Sequence, residues 1–251
     1  MSENGYRVGV LGATGAVGTT ILEVLAERGL PVRELVPLAS ARSAGSKVRF
    51  GGDEVEVLEL TEDSIRGIDI ALSSAGGKVS AEWAPKLVDA GAVVVDNTSY
   101  WRMHDHVPLV VAGVNDDAVE GHQGIVANPN CTTMALMMAL KPILDEAGIE
   151  RLIVSTYQSV SGTGRKAIEE LREQSRAVLA GEQPRAEVYP HQIAFNVIPQ
   201  VESFKEGDDY TTEERKVMAE TRKILSLSGD VGISATCARV PVITGHSESV
   251  N

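Results

Sequence analysis

A glycine-rich turn near the N-terminus limits the chain to a small set of folds. The apolar segment 6–11 is typical of a β-strand, GATGAVG follows it, and segment 19–29 has the apolar spacing of a helix. Gly12, Gly15 and Gly18 allow the backbone to approach a pyrophosphate at the helix N-terminus and let helix and strand pack closely. This unit predicts a dinucleotide-binding domain, although a glycine turn can also serve only to reach positive φ.

Strands and helices continue to alternate through the first half of the chain. Strands are predicted at 34–39, 54–60, 68–73 and 92–96, and a helix at 80–89. This alternation predicts an α/β fold with a doubly wound parallel sheet of the Rossmann type, which binds ligands at the carboxyl ends of its strands. The segments SSAGG and DNTSYWRM fall at that edge. We expect the Rossmann-type domain to cover residues 1–127.

The loop after strand 34–39 bears on the choice of nicotinamide cofactor. NAD-binding domains usually place an Asp or Glu there to hold the ribose 2′-hydroxyl, whereas a 2′-phosphate needs Arg, Ser or backbone donors. This loop carries Ser40, Arg42 and Ser43. It therefore predicts NADP rather than NAD, with an ordinary polar loop as the alternative.

The segment VANPNCTT contains the residue with the most reactive chemistry. Cys131 follows an Asn-Pro-Asn turn and precedes the apolar run MALMMALKPIL, whose composition favours a helix. Unpaired N–H groups and the helix dipole at such a position favour the thiolate, which attacks carbonyls. Asn130 could supply an amide donor beside the sulfur. A cysteine buried behind a helix cap is the other interpretation.

The remainder of the chain predicts an α+β domain over residues 128–251. The sequence indicates a strand and glycine loop at 151–164, an amphipathic helix at 166–181, a looser proline-containing region, and alternating strands within 233–250. Thr212, before two glutamates and a helical run, is predicted to be an N-cap.

Composition narrows the partners and the compartment. The net charge of -12 argues against an extended nucleic-acid surface, which needs clustered Lys and Arg. No apolar run reaches the roughly 18 residues of a membrane span, and the polar start does not resemble a secretory signal. Two cysteines are too few for a disulfide framework. We expect a cytoplasmic protein with neither nucleic-acid nor membrane partners.

The motifs, in their order along the chain, resemble those of the aspartate-semialdehyde dehydrogenases. The motifs are GATGAVG, ASARSAG, SSAGG, DNTSYWRM, VANPNCTT, YQSVSGTG, EERK and RVPVITGHSE. The resemblance implies NADP-dependent reductive dephosphorylation of L-aspartyl 4-phosphate to L-aspartate 4-semialdehyde, in the pathway to lysine, methionine, threonine and isoleucine. It also implies a homodimer or homotetramer, and small-molecule ligands that include phosphate but no metal.

The same resemblance implies roles for individual residues. Cys131 corresponds to a nucleophile that forms a thioester, and His246 to the acid/base residue. Gln158 corresponds to the glutamine that helps to orient the substrate. Asn130, with the backbone N–H of Cys131, would face the developing oxyanion.

Charged residues match the family's substrate-binding positions. Arg239 corresponds to the residue that holds the α-carboxylate, and Arg102 and Lys216 to the phosphate-binding positions. Glu213 corresponds to the acid that meets the substrate amine, with Glu214 as the adjacent alternative. Judged by spacing alone, Glu213 and Lys216 could instead form a surface i, i+3 ion pair, and Arg102 could be a surface residue.

The cofactor contacts are predicted from the glycine turn, the Ser-Arg-Ser loop, SSAGG and the glycine loop after the strand near residue 151. They are Gly12, Thr14, Gly15, Ala16, Val17, Gly18, Ser40, Arg42, Ser43, Ser74, Ala75, Gly76 and Gly162.

The length of the chain suggests a departure from the family. Its members run on past the position of Asn251, so we expect this chain to be truncated there and its second domain to be incomplete. Two alternatives stay open. One is an enzyme like N-acetyl-gamma-glutamyl-phosphate reductase, which shares the fold and thioester chemistry but has a different sequence around its cysteine. The other is a non-catalytic nucleotide-binding fragment.

Overall fold

The structure, a computed structural model, describes residues 5–251 and contains two compact units. The first unit ends at Pro129, and the second covers Asn130–Asn251. The division falls inside the Asn-Pro-Asn turn that precedes Cys131. Among the described residues, no helix combines the length and apolar character needed to cross a bilayer.

The first unit is built on a parallel six-stranded sheet. Its elements are β1 (Tyr6–Leu11), α1 (Ala16–Arg28), β2 (Val32–Ala39), β3 (Lys47–Phe50), β4 (Asp53–Glu56), β5 (Leu58–Glu59), β6 (Ile70–Ser73), α2 (Gly77–Asp89), β7 (Val93–Asp96) and β8 (Ile125–Ala127). The strand order is β5-β2-β1-β6-β7-β8, and every pair is parallel. The chain passes from β1 to β2 on one side and later to β6 on the other, which leaves a crevice at the carboxyl end of β1. The predicted Rossmann-type sheet is confirmed.

Burial explains why β1 forms the centre of this sheet. Val8, Val10 and Leu11 are completely buried, as expected for a parallel strand covered on both faces. Leu22 of α1 packs into the same core. The helix approaches the turn closely because Gly18 has no side chain: a Cβ there would lie 2.1 Å from the Gly12 carbonyl oxygen.

The strand predicted over 54–60 is two strands in the structure. β4 pairs antiparallel with β3, which the sequence did not predict, and β5 pairs with β2 in the main sheet. Gly51 and Gly52, both with positive φ, form the turn between β3 and β4. Val57 is fully buried at the point where the chain changes from one sheet to the other.

The second unit, Asn130–Asn251, contains a three-stranded mixed sheet, three α-helices and a short 3₁₀ helix at Val160–Thr163. Its elements are α3 (Cys131–Ala147), β9 (Arg151–Gln158), α4 (Arg165–Leu179), α5 (Thr212–Ile224), β10 (Gly232–Arg239) and β11 (Ser247–Val250). β9 is central, with β10 parallel and β11 antiparallel to it. The register pairs Arg239 with Gln158 and Ser247 with Tyr157. The end of β9, the end of β10 and the start of β11 therefore meet at one end of the sheet.

Helix α5 begins one residue earlier than predicted. Its N-cap is Thr211, whose hydroxyl accepts from the N–H of Glu214, while the Glu214 carboxylate accepts from the N–H of Thr211. This reciprocal capping box uses the first threonine because Glu214 lies three residues after Thr211, whereas Arg215 lies three residues after Thr212. The sequence contains the signal that separates the two adjacent threonines, because only Thr211 is followed by a glutamate at the capping-box spacing.

Replacing Gly18 by alanine should destabilise the first unit. The added Cβ must push against backbone of the turn, so we expect Gly18→Ala to lower the free energy of unfolding by roughly 1–3 kcal/mol. Urea denaturation followed by circular dichroism would measure this change. Gly121→Ala is the control, because a Cβ at that position meets open space. Equal effects of the two substitutions would contradict close packing at Gly18.

Candidate active site

Cys131 is the first residue of α3 and lies beside His246. The N-cap residue Asn130 accepts a hydrogen bond on Oδ1 from the N–H of Thr132 over 2.9 Å. Cys131 is exposed, and its sulfur lies 3.1 Å from Nε2 of His246. An accessible thiol at a helix N-terminus in contact with an imidazole has the arrangement of an activated nucleophile. The interpretation of Cys131 as a buried cysteine is wrong; the buried cysteine is Cys237.

The ring of His246 is held through its other nitrogen. The N–H of Ser159 donates to Nδ1 over 3.0 Å. We assign the tautomer from this bond: Nδ1 is an acceptor, so the neutral ring carries its proton on Nε2, facing the sulfur. Burial lowers the pKa of His246, the positive charge of Arg239 lowers it further, and Glu213 opposes both. The neutral imidazole therefore donates towards sulfur and favours the thiolate.

A buried carboxylate joins the predicted residues into one network. Glu213 is 3% exposed, and its Oε1 accepts from Nδ2 of Asn130 over 2.9 Å and from Nε2 of Gln158 over 3.0 Å. The Asn130 amide nitrogen therefore points to Glu213, and its oxygen lies on the side of the Cys131 sulfur, 3.8 Å away. The amide donor expected beside the sulfur is not the atom placed there. Glu214 serves instead in the α5 capping box, so of the two acids only Glu213 lines the cavity described below.

Arg239 presents a buried guanidinium at the same end of the sheet. Arg239 is 6% exposed, and its Nη1 donates to the carbonyl of Ser159 over 2.7 Å. Within residues 5–251, its Nε meets no hydrogen-bond acceptor. A Cβ added to Gly162 would lie 3.4 Å from Nη1 and 3.6 Å from the ring of His246. An unmatched buried N–H on a fixed guanidinium suits an incoming carboxylate.

Lys216 lies between two carboxylates of this unit. Its Nζ bonds Glu202 and lies 3.4 Å from Oε2 of Glu213. The i, i+3 ion pair between Glu213 and Lys216, which their spacing allowed, is thus present. It is not a simple surface pair, because Glu213 is buried.

Most of these groups line a cavity of about 330 Å³. His246 and Lys216 are not part of the lining but contact lining residues, His246 at Cys131 and Lys216 at Glu202 and Glu213. The lining includes Asn130, Cys131, Gln158, Gly162, Glu213 and Arg239, all of which the sequence predicts as site residues. The lining also includes residues that the sequence did not predict: Thr163, Val188, Tyr189, Pro190, Gln200, Val201 and Glu202. Most of the latter lie between α4 and α5, where the chain has no periodic pattern from which a site could be inferred.

Helix α4 holds this irregular wall through buried polar side chains. Glu170 accepts from the N–H groups of Glu187 and Val188, and Gln174 accepts from those of Ile193 and Ala194. Both acceptors are almost fully buried. The wall therefore has a defined backbone although it contains neither helix nor strand.

The first unit contains a second cavity, of about 460 Å³, at the carboxyl end of β1. The predicted residues Gly12, Thr14, Gly15, Ser40, Arg42, Ser43, Ser74 and Ala75 line it. The other predicted contacts in this unit do not. Ala16 and Val17 form the first turn of α1, Gly18 packs against the turn, and Gly76 is the N-cap of α2.

The chemistry of this cavity fits a nicotinamide dinucleotide. Gly12 has φ 78°, and a Cβ there would lie 3.0 Å from the carbonyl oxygen of Ser74, so the turn needs glycine. Two residues of α2 that the sequence did not predict, Val79 and Trp83, provide an apolar wall suited to a planar base. Glu59 of β5 also lines the cavity.

Arg102 belongs to the first unit and is 7% exposed. Its Nε donates to the carbonyl of Asn128 over 2.9 Å, and its Nη2 donates to that of Asn97 over 3.0 Å. The carbonyl groups that follow β7 and β8 therefore fix the guanidinium at the carboxyl edge of the sheet. The interpretation of Arg102 as a loose surface residue is wrong.

A parallel nucleotide-binding sheet followed by a Cys–His pair in a polar cavity defines an acyl-transferring oxidoreductase of the semialdehyde dehydrogenase class. Two family models agree with this class. "Semialdehyde dehydrogenase, NAD binding domain" matches residues 7–122, and "Semialdehyde dehydrogenase, dimerisation domain" matches residues 140–251.

Individual relatives identify the family within this class. The aspartate-semialdehyde dehydrogenase of Aquifex aeolicus is 55% identical, over 98% of this chain and 73% of the relative; that of Bacillus subtilis is 47% identical, over 98% and 72%. Aspartate semialdehyde dehydrogenase II complexed with ASA, from Vibrio cholerae, has a TM-score of 0.95 at 47% identity, over 99% of this chain and 74% of that one. The chain belongs to the aspartate-semialdehyde dehydrogenase family.

A more distant solved structure has the same fold. The aspartate semialdehyde dehydrogenase with NADP from Candida albicans has a TM-score of 0.68 at 26% identity, over 98% of this chain and 71% of that chain. The fold is therefore shared by relatives whose sequences have diverged widely.

Removing the charge of Arg239 should raise the pKa of His246. The guanidinium disfavours the imidazolium, so in Arg239→Leu the ring should become protonated at higher pH than in the unmodified protein. An NMR titration of the His246 ring protons would measure this, and Arg239→Lys, which keeps the positive charge, is the matched control. An unchanged titration in Arg239→Leu would show that Arg239 does not control this pKa.

Proposed function

We propose that the chain catalyses the reversible, NADPH-dependent reductive dephosphorylation of L-aspartyl 4-phosphate to L-aspartate 4-semialdehyde. The observation that carries this proposal is the contact between the Cys131 sulfur and Nε2 of His246 at the start of α3, beside a cavity that Cys131 and Arg239 line. The similarity to the Vibrio cholerae enzyme complexed with ASA supports the substrate assignment.

Cys131 attacks the acyl carbon of the substrate as a thiolate. The carbon–sulfur bond forms, the bond from the acyl carbon to the phosphate oxygen breaks, and phosphate leaves with the electron pair. The Nε2–H of His246 and the N-terminus of α3 stabilise the thiolate before attack. The N–H of Cys131 and the second Nδ2 hydrogen of Asn130 are the donors that we assign to the developing oxyanion.

Bound NADPH supplies the hydride that reduces the thioester carbonyl. The chain's own contribution at this stage is again at Nε2 of His246, where the ring holds a proton beside the sulfur. Donation of this hydrogen bond stabilises the thiolate as the carbon–sulfur bond breaks and the aldehyde is released. His246 thus acts on the same atom at the start and at the end of the reaction.

The charges of the cavity complement those of an aspartyl group. We assign Arg239 to the α-carboxylate, because its buried Nε has an unmatched hydrogen. Glu213 is assigned to the ammonium and Gln158 to the orientation of the acyl group. Lys216 and Arg102 are assigned to the phosphate.

The first unit, with the predicted boundary at residue 127, is assigned to NADP binding. The N-terminus of α1 and the turn from Gly12 to Gly15 would hold the pyrophosphate, and Ser40, Arg42 and Ser43 the 2′-phosphate. We retain Ala16, Val17, Gly18, Gly76 and Gly162 as further proposed contacts. Residues 128–251 are assigned to catalysis and dimerisation.

We propose the assembly from the family and the location from the cysteines and the composition. The dimerisation-domain model over residues 140–251 supports a homodimer, and we also propose that a homotetramer can form from such dimers. A cytoplasmic location is proposed from the two free thiols and the strongly acidic composition.

Removing the nucleophile should abolish turnover. In the phosphate-dependent oxidation of L-aspartate 4-semialdehyde with NADP, Cys131→Ala should lose about 10⁴-fold or more in kcat, because the covalent route is closed. Absorbance of NADPH measures turnover, and intact mass measures the acyl adduct.

Cys237→Ala is the matched control for this experiment. Burial raises the pKa of the Cys237 thiol to about 12, so it is not a nucleophile near neutral pH. The variant should keep both the adduct and turnover. An acyl adduct on Cys131→Ala would contradict the assignment. N-acetyl-L-glutamate 5-semialdehyde, run in parallel, distinguishes the proposed substrate from that of the related reductases.

Removing the guanidinium of Arg42 should reduce the preference for NADP. Hydrogen bonds to a charged group contribute about 1.5–3 kcal/mol, so we expect Arg42→Ala to weaken NADP binding by about 10- to 100-fold and to leave NAD binding unchanged. Calorimetry would measure both affinities. Arg49→Ala, on β3 and outside the cavity lining, is the control. Equal loss for the two cofactors would contradict a role for Arg42 at the 2′-phosphate.

A further inference from the structure

Glu202 is a residue of the cavity wall with an unusual backbone conformation. It lies before α5, lines the cavity and has φ 61°, in the left-handed region that residues other than glycine rarely adopt. Nε2 of Gln200 donates to its carbonyl over 2.8 Å. Backbone of this kind persists only where the surroundings hold it, and it occurs often at functional sites.

The Glu202 carboxylate is bonded to Lys216. Nζ of Lys216 donates to Oε1, and the hydroxyl of Thr212 donates to Oε2 over 2.5 Å. Burial acts to raise the pKa of Glu202, but the hydrogen bonds from Lys216 and Thr212, together with the charges of Lys216 and Arg239, outweigh it and hold the pKa below its usual range. Glu202 is therefore an anion at neutral pH.

The two carboxylates beside Lys216 differ in how firmly they are held. Glu213 is 4% exposed at its side chain and also accepts from Asn130 and Gln158. The side chain of Glu202 is 42% exposed. Breaking the contact between Lys216 and Glu202 leaves Glu202 with access to water, whereas moving Glu213 would leave other buried donors unmatched. Glu202 is thus the exchangeable partner.

Charge counting shows why the exchange matters. Around Lys216 in the second unit, Arg239 and Lys216 supply two positive charges, and Glu202 and Glu213 supply two negative charges. A phosphate that approaches Lys216 meets an ammonium whose charge is already matched. It must either add a third anion around that ammonium or take the place of Glu202, and the first option carries a cost in repulsion between like charges.

We propose that Glu202 is an internal anion that the phosphate group must displace from Lys216, and that it thereby sets the affinity of the cavity for phosphate. The inference rests on the proposed function, because it takes Lys216 as a phosphate contact. Glu202 is accordingly a residue that determines how strongly phosphate binds, with no part in the bond-breaking steps.

The test measures binding of inorganic phosphate to the 251-residue chain by calorimetry, which needs no turnover. Glu202→Gln keeps the size of the side chain but removes its charge. We expect the dissociation constant for phosphate to fall about two- to fivefold, the range for a partly exposed ion pair. In the oxidative assay, the KM for phosphate should fall by the same factor, while kcat and the KM for aspartate semialdehyde stay within about twofold of the unmodified chain.

Three further variants isolate the effect. Asp208→Asn also removes one negative charge, but from the exposed ion pair between Asp208 and Arg215. Arg215 lies on α5 next to Lys216, and this variant should change phosphate binding little. Glu202→Asp keeps the charge and should restore values near those of the unmodified chain. In a Lys216→Met background, Glu202→Gln should no longer tighten binding, because the contested ammonium is gone. Thermal unfolding confirms that each variant is folded.

Each result supports or overturns the inference. Weaker phosphate binding in Glu202→Gln would show that Glu202 positions Lys216 for phosphate and overturn it. An increase in phosphate affinity in Glu202→Gln that is no larger than the increase in Asp208→Asn would also overturn it. The absence of phosphate binding in the unmodified chain would overturn it as well. If tightening occurs but the chain does not oxidise aspartate semialdehyde, the proposed function fails and the competition at Lys216 stands.

Discussion

The catalytic geometry depends on how one buried residue, Asn130, satisfies its hydrogen bonds. Its Oδ1 caps α3, its Nδ2 binds Glu213, and its backbone N–H donates to Glu220 over 2.7 Å. These bonds fix the first turn of α3 and with it the position of Cys131. The contact between sulfur and imidazole is therefore a consequence of the cap, because a sulfur displaced by even 1 Å would leave the reach of Nε2.

Helix α5 is unusual because its acidic residues face inward. Glu213, Glu214 and Glu220 are all buried. Burial of carboxylates is costly unless donors meet them, and here each one accepts from backbone or side-chain N–H groups. One of these, from the N–H of Cys237, connects α5 to β10. The helix thus carries the site's negative charge and at the same time joins α3 to the sheet.

Local patterns predicted a large part of this structure. The first strand of the parallel sheet, which contains Val8 and Val10, and the glycine turn after it were predictable because their sequence pattern lies in one continuous segment. The position of Cys131 at a helix start was also predictable from its neighbours. The inward orientation of Glu213 and Glu214 was not, since an amphipathic pattern with charges at that spacing equally describes a solvated face. Which acid belongs to the cap depends on the exact start of α5.

The unpredicted part of the site has a common cause. Tyr189 and Glu202 lie in a segment without periodicity. The wall around Tyr189 is positioned by Glu170 and Gln174 on α4, and Glu202 is bonded to Thr212 and Lys216 on α5. Such contacts leave no local signal. By contrast, Gln158 and Arg239 are the last residues of adjacent parallel strands and pair in register. Their proximity would therefore be predictable once the strand order of the sheet is known.

The way in which α4 holds the cavity wall separates the backbone shape of the wall from the identity of the side chains along it. Glu170 and Gln174 bind the wall through main-chain N–H groups, which every residue except proline provides. The side chain of Val188 can therefore be exchanged without loss of these main-chain bonds, whereas the Tyr189 hydroxyl also donates to the hydroxyl of Thr163 over 2.9 Å. Cys131 and His246 are positioned by α3 and the sheet, outside this segment. Substrate preference can thus diverge within the family by substitutions along the wall, while the nucleophile and its proton donor stay in place.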